Sequence, residues 1–180
     1  MLISWLELDR VVGPDRMPSW EDQPSLPYLR SLIKEVHRWG PVASLSVPHA
    51  ATQDDIYDGM VIPKGTVCFP SITALNLDPE RYPEPEVFNP DRFIHDEVPS
   101  AASAISSDYM KRDHYHYGFG RRLCPGILIA EASLFIFISR LVWGFDVQAI
   151  DGVKLDMKDL NGMCSQNELR PLVPCMRTDR

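Results

Sequence analysis

The sequence has no excess of positive charge. Its 18 Lys and Arg residues stand against 25 Asp and Glu, a formal net charge of −7. A chain of that sign repels phosphate backbones, which argues against nucleic acid as a partner. It also lacks paired cysteines. Cys68, Cys124, Cys164 and Cys175 form no Cys-x-x-Cys pair and no dense cluster. Neither a disulfide scaffold nor a zinc knuckle is therefore expected, and a reducing environment is the simpler reading. No signal peptide is expected, because the apolar stretch 1–8 is too short and charged Glu7, Asp9 and Arg10 crowd its end. No internal repeat is apparent.

What the chain does have is proline and one long apolar run. Its 180 residues suffice for one domain. The 16 prolines cluster at 41–48, 63–70 and 79–99, so that region cannot be one continuous helix or sheet. The run 127–145 is long enough to raise the question of a membrane span. Glu131 and Arg140 lie inside it and are expensive in lipid, so it reads as a core helix.

The first ten residues read as the end of a helix, stopped by Gly13-Pro14. Ser25 is the expected cap of a second helix, with Pro27 in its first turn and Tyr28, Leu29, Leu32, Ile33 and Val36 at helical spacing. Gly40-Pro41 stops it. Residues 42–47 are a candidate strand. Asp58-Gly59 predicts a tight turn between Ile56-Tyr57 and Met60-Val61-Ile62. A short strand is expected at 66–69, a short helix at 71–77 and an irregular loop at 78–92. The small, polar segment 97–108 reads as a mobile surface insert. A helix at 127–143 and strands at 145–150 and 172–176 follow, with a turn at Asp151-Gly152 between them.

The strongest chemical signal is Tyr117-Gly118-Phe119-Gly120-Arg121-Arg122-Leu123-Cys124-Pro125-Gly126. An iron-ligating sulfur must be ionised, which helix N-termini and backbone N–H groups favour. Cys124 lies just before the long helix, with Pro125 suited to a first-turn position. Gly118, Gly120 and Gly126 let the backbone bend sharply and approach a flat macrocycle. Arg122 is placed to pair with a haem propionate. The ring of Tyr117 is placed to shield the sulfur and tune its hydrogen bonding. Two blander readings remain at this point. A lone Cys before an apolar helix is usually a core residue, and a Gly-rich loop before a helix can cradle phosphate, although the Walker Lys-Ser/Thr pair is missing here. His114 and His116 with Cys124 fit no common zinc spacing. His37 and His95 read as surface residues.

The loop resembles the cytochrome P450 haem signature, Phe-x-x-Gly-x-Arg-x-Cys-x-Gly. Tyr117, Gly120, Arg122, Cys124 and Gly126 take its fixed places, with Tyr117 standing where the family has Phe. Glu35-Val36-His37-Arg38 matches the family's Glu-x-x-Arg, and residues 88–93 look like the segment that brings a second Arg, here Arg92, to that pair. Alone, Glu35 and Arg38 would read as a solvated helix pair; the resemblance makes Glu35, Arg38 and Arg92 a structural triad. It also makes His49, which alone reads as exposed, a donor to a haem propionate. The run 125–135 looks most like fungal members.

The resemblance implies a mainly α fold with small β-sheets, the C-terminal portion of the cytochrome P450 fold, spanning 1–180 as one partial domain. It implies haem b (iron protoporphyrin IX) on Cys124, contacted by His49, Tyr117, Gly118, Gly120, Arg122 and Gly126. Activity would be monooxygenation of a small apolar organic substrate, as in fungal secondary metabolism. Electrons would come from an NADPH-cytochrome P450 reductase docking near Lys111, Arg112 and Arg121, which stand out in the net +3 stretch 111–122. Intact members would be anchored to the endoplasmic reticulum membrane, facing the cytoplasm. The likeness covers the last third or so of a typical member. The oxygen-activating Ala-Gly-x-Asp/Glu-Thr segment is not found in the sequence, and the anchor and most of the substrate pocket also fall outside it. A truncated, non-catalytic remnant that binds haem weakly or not at all, and folds poorly alone, is therefore the second reading.

Overall fold

The computed structural model describes residues 2–149 and 172–176. Five helices carry the architecture: α1 (Leu2–Val11), α2 (Pro27–Trp39), α3 (Ile72–Asn76), α4 (Ser100–Ala104) and α5 (Ile127–Gly144). Three two-stranded antiparallel sheets accompany them. β1 (His49–Ala50) pairs with β4 (Val67–Cys68), β2 (Asp55–Tyr57) with β3 (Met60–Ile62), and β5 (Phe145–Ala149) with β6 (Leu172–Met176). The expected turn at Asp151-Gly152 lies outside the described residues, as does Cys164.

The core forms where α1, α2 and α5 meet. Leu8, Val12, Leu26, Leu29, Phe135 and Val142 are buried together, with Trp5, Leu32, Ile33, Ile136 and Trp143 packed around them. Trp20 adds an edge-on contact to Phe135, ring centroids 5.6 Å apart. α5 is long and apolar enough, by length and composition, to cross a membrane. Here it packs against α1 and α2, its Arg140 Nε donates to Pro18 O at 3.1 Å, and Glu131 accepts two backbone amides from α4.

The start of α2 differs from expectation. Its N-cap is Leu26, which has no side-chain oxygen, and Ser25 makes no cap. Glu7 of α1 supplies the cap instead. Its carboxylate accepts from Tyr28 N at 2.9 Å and Leu29 N at 3.0 Å. Two orphan amides and the positive end of the helix are satisfied by one side chain from another helix. Glu7→Ala is expected to destabilise the fold by about 0.5–2 kcal/mol, the usual range for losing an N-cap, read as a lower denaturant midpoint.

The Asp58-Gly59 turn is as expected, with φ of 50° and 75° joining β2 to β3. Residues 42–47 do not form the expected strand. Among the described residues their one ladder pairing is the bridge between Leu45 and Ser71, and further backbone bonds tie the loop to Pro70, Ile72 and Thr73. The segment 97–108 is also not a free insert. It contains α4, whose Ser100 and Ser103 are buried against Asp113. Small hydroxyl side chains that read as loop composition serve here as partners for a buried residue: Ser100 donates to the Asp113 carboxylate and Ser103 accepts from the Asp113 amide.

Candidate functional site

Glu35 and Arg38 lie one turn apart on α2, and both are 0% exposed. Arg38 Nε and Nη2 donate to the two Glu35 oxygens at 2.7 Å each, a bidentate pair. Asn89 N donates to Glu35 Oε1 at 2.8 Å, and Arg92 Nε stands 3.5 Å from the same oxygen. The two guanidiniums then fasten the proline-rich loop. Arg38 donates to Asn76 O and Pro85 O at 3.0 and 2.8 Å, and Arg92 to Glu84 O at 2.7 Å. Glu35, Arg38 and Arg92 are thus brought together, and the loop that cannot form regular structure gets its carbonyls satisfied by them.

Asn76, fully buried at the end of α3, extends this scaffold toward the Gly-rich loop. Its Nδ2 donates to His37 O at 3.3 Å and its Oδ1 accepts from Tyr115 N at 3.0 Å. Nothing in the sequence marked Asn76. A second set of anchors holds the approach to the loop: Tyr82 Oη donates to Asp113 O at 2.7 Å, and Arg81 donates to Arg112 O at 2.7 Å while lying over the Tyr115 ring.

The loop itself turns through Gly118 and Gly120, whose φ values of +76° and +65° are left-handed. Any other residue would be strained there. A short 3₁₀ turn spans Gly120–Arg122. Cys124 N donates back to Tyr117 O at 3.1 Å, closing the loop around the cysteine. Gly126 is the N-cap of α5, and a Cβ added there would lie 3.8 Å from Cys124 Sγ. Cys124 is half-buried and forms no disulfide among the described residues. The sulfur therefore sits at the mouth of an 18-residue helix, in a loop shaped by glycine.

Arg121 and Arg122 are exposed, and His49 is exposed on β1. The 42–48 segment leading to His49 runs beside the loop, since Ser46 Oγ lies 3.8 Å from where a Gly118 Cβ would be. Val42, Leu45 and Val47 on that segment are all more than half exposed. A disulfide-free thiol, two exposed nitrogen-bearing side chains, an apolar flank and no carboxylate between 117 and 126 form a donor set that fits haem.

Of the three basic residues expected to dock a partner, Arg121 and Lys111 are exposed and Arg112 is partly buried. Arg112 donates from Nε and Nη2 to Ser106 O at 3.1 and 2.8 Å and stacks on Tyr115. Lys111 is exposed, 3.6 Å from Asp108.

His37 is not a surface residue. It is 6% exposed, between Glu35 and Arg38 on α2. Its ring lies 4.9 Å from that of His114 and 4.3 Å from that of His116, and its Nε2 is 3.2 Å from the hydroxyl of Tyr117. Burial, aided by the two neighbouring imidazoles, pushes His37 down to about 2. Burial likewise takes His114 down to about 4 and lowers His116. The Tyr117 hydroxyl is pushed up to about 12, mainly by burial. These shifts keep both the Tyr117 phenol and the His37 imidazole neutral, and the imidazole tautomer sets which of the two donates.

The family pattern for cytochrome P450 matches residues 6–173. The chain is 58% identical over 153 residues to cytochrome P450 monooxygenase polD of Polytolypa hystricis, covering 85% of this chain and 30% of that protein. It is 52% identical over 142 residues to cytochrome P450 monooxygenase acuD of Aspergillus aculeatus, covering 78% of this chain and 26% of that protein. The likeness to fungal members expected from 125–135 is thus found. A solved structure of a zebra fish cytochrome P450 with abiraterone superposes with a TM-score of 0.79 at 34% identity, over 98% of this chain and 40% of that one. The chain therefore spans about 30% of the length of the curated relatives it matches, and it belongs to the cytochrome P450 family.

Proposed function

We propose that the protein is a haem-thiolate monooxygenase for a small apolar organic substrate in secondary metabolism, with Cys124 as the ligand of the iron in haem b. The observation that supports this most is the loop geometry: a disulfide-free cysteine, its amide held on Tyr117 O at 3.1 Å, at the mouth of α5. When bound, haem supplies oxygen activation, in which two electrons and two protons let one oxygen atom enter the substrate and the other leave as water. The chain's own residues do the holding. Cys124 Sγ presents the ligand, and Gly118 and Gly120 keep the backbone in the turn that carries it. Arg122 would pair with one haem propionate and His49 would donate a hydrogen bond to a propionate. The triad of Glu35, Arg38 and Arg92 fixes the proline-rich loop that supports this scaffold.

Electrons would arrive from an NADPH-cytochrome P450 reductase. Arg121, with Lys111 beside the same loop, gives the exposed positive charge for an acidic partner. Arg112 contributes by ordering the backbone through Ser106 rather than by meeting the partner. The complete natural protein would be anchored to the endoplasmic reticulum membrane, with this region on the cytoplasmic side.

The test is spectroscopic. The complete natural protein, haem-loaded and reduced under carbon monoxide, is expected to show the red-shifted Soret band of a thiolate ligand. Cys124→Ala should lose that band entirely. An unchanged spectrum in the variant would remove Cys124 from the iron.

A further inference from the structure

We propose that the hydrogen bond between the Tyr117 hydroxyl and His37 Nε2 is a positioning device, which fastens the cysteine ligand loop to α2. The inference rests on the haem-thiolate reading for its spectroscopic consequence, though not for the bond itself. Tyr117 departs from the family signature, which has Phe at that place. The departure has a partner. His37 stands between Glu35 and Arg38, and its Nε2 is 3.2 Å from the added hydroxyl. The hydroxyl is thus engaged toward α2, where the triad is anchored.

Tyr117 is joined to the ligand at its other end. Its carbonyl accepts the Cys124 amide at 3.1 Å. One residue therefore carries a side-chain bond to α2 and a backbone bond to the cysteine. Phe at 117 could pack its ring in the same place but could not fix the ring's rotation and depth by a bond. The surroundings raise the demand for that bond. His114 Nε2 and His116 Nδ1 are buried and have no hydrogen-bond partner among the described residues. With the rings of His114 and His116 against it, His37 would become a third buried imidazole with an unpartnered nitrogen if Tyr117 lost its hydroxyl.

The two positions behave as a matched pair on this account. Restoring the family's Phe alone leaves the His37 nitrogen unsatisfied. Replacing His37 alone by Leu leaves the phenol unsatisfied. Replacing both by apolar groups of similar shape removes the polar requirement altogether, which is near neutral for buried pairs.

The experiment uses the complete natural protein and two readouts. The first is a double-mutant cycle on unfolding with Tyr117→Phe, His37→Leu and the double variant. Each single change is expected to shift the unfolding equilibrium by about tenfold, and the double variant to lose less than the two changes combined. The second is the reduced carbon monoxide spectrum of the haem-loaded protein. Tyr117→Phe and His37→Leu should each convert part of the red-shifted band to a shorter-wavelength form, because the ligand loop is less firmly held. His37→Gln, which keeps a polar group near the Nε2 position, should preserve the band. Strictly multiplicative effects in the cycle, or a band unaltered in Tyr117→Phe, would overturn the proposal. A spectrum unaffected by Cys124→Ala would instead overturn the haem reading and with it the spectroscopic role, while the unfolding cycle would still decide whether the bridge exists.

Discussion

Glu35→Ala is expected to leave little or no soluble protein, and its destabilisation is expected to be about 3–5 kcal/mol. The change removes the acceptor of two 2.7 Å bonds from Arg38, whose guanidinium is 0% exposed. The guanidinium charge of Arg38 would stay buried, with the carbonyls of Asn76, Pro85 and Val87 and the face of the Tyr82 ring around it but no carboxylate to balance it. The Asn89 amide and Arg92 Nε lose their partner in the same stroke. Domain stabilities are typically about 5–15 kcal/mol, so a loss of this size approaches the whole margin. Glu35→Gln tests the cause. It keeps shape and one acceptor but cannot balance two guanidiniums, so its cost should fall between wild type and Ala. Comparing soluble yield and denaturant midpoints of the two variants decides the matter. Normal expression and haem content in Glu35→Ala would refute the structural role of the triad.

The parts of this site that could be read from sequence are those in which residue type and spacing are fixed together. The Gly-rich loop is one, because left-handed turns at 118 and 120 admit little but glycine. The Glu35/Arg38 pair is another, because helical spacing alone puts the two side chains together. Its depth of burial was not legible. Helical periodicity pointed to Tyr28, Leu29, Leu32, Ile33 and Val36 as the packed stripe of α2. In the structure Val36 is exposed, while Lys34, Glu35, His37 and Arg38 on the other side are buried. That polar face is buried because it meets the proline-rich loop and the segment before Cys124, contacts spanning dozens of residues that periodicity cannot register.

The same limit explains Glu7, Asn76 and the serines of α4. Each satisfies a backbone or carboxylate group far away in sequence, and each looks locally like an ordinary surface residue. A cap supplied by Glu7 from another helix leaves no mark at residues 25–27, where a cap is sought. Residues 97–108 had loop composition for a similar reason: the partners of Ser100 and Ser103 lie at Asp113, ten residues or more downstream. His37 was missed because a lone His on a polar face reads as solvated, and its partners, His114, His116 and Tyr117, belong to another part of the chain.

Lowering the pH from 6 to 4 is expected to remove on the order of 3–5 kcal/mol of stability, through His37 and His114. In the unfolded chain each imidazole takes a proton near pH 6.5. In the folded chain burial holds His37 neutral down to about 2 and His114 down to about 4. Between those limits the unfolded state binds more protons, so stability is full above pH 6.5 and falls as the pH drops toward the folded values. The surrounding charges do not reverse the sign. Asp113 favours protonation of both rings, but burial outweighs it, while His116 opposes protonation of both and Lys34 that of His114. Denaturant midpoints at pH 7, 6, 5 and 4 should therefore decline, with most of the fall below pH 6. The His37→Leu/Tyr117→Phe double variant has only one of the two rings left to take up a proton, so the dependence should flatten by roughly half. A flat profile from pH 7 to 4 in the parent would mean that these rings are not held neutral. Acid would then not threaten the contact that joins α2 to the cysteine loop. A declining profile that the double variant fails to flatten would place the proton uptake elsewhere, on groups outside the His37 cluster.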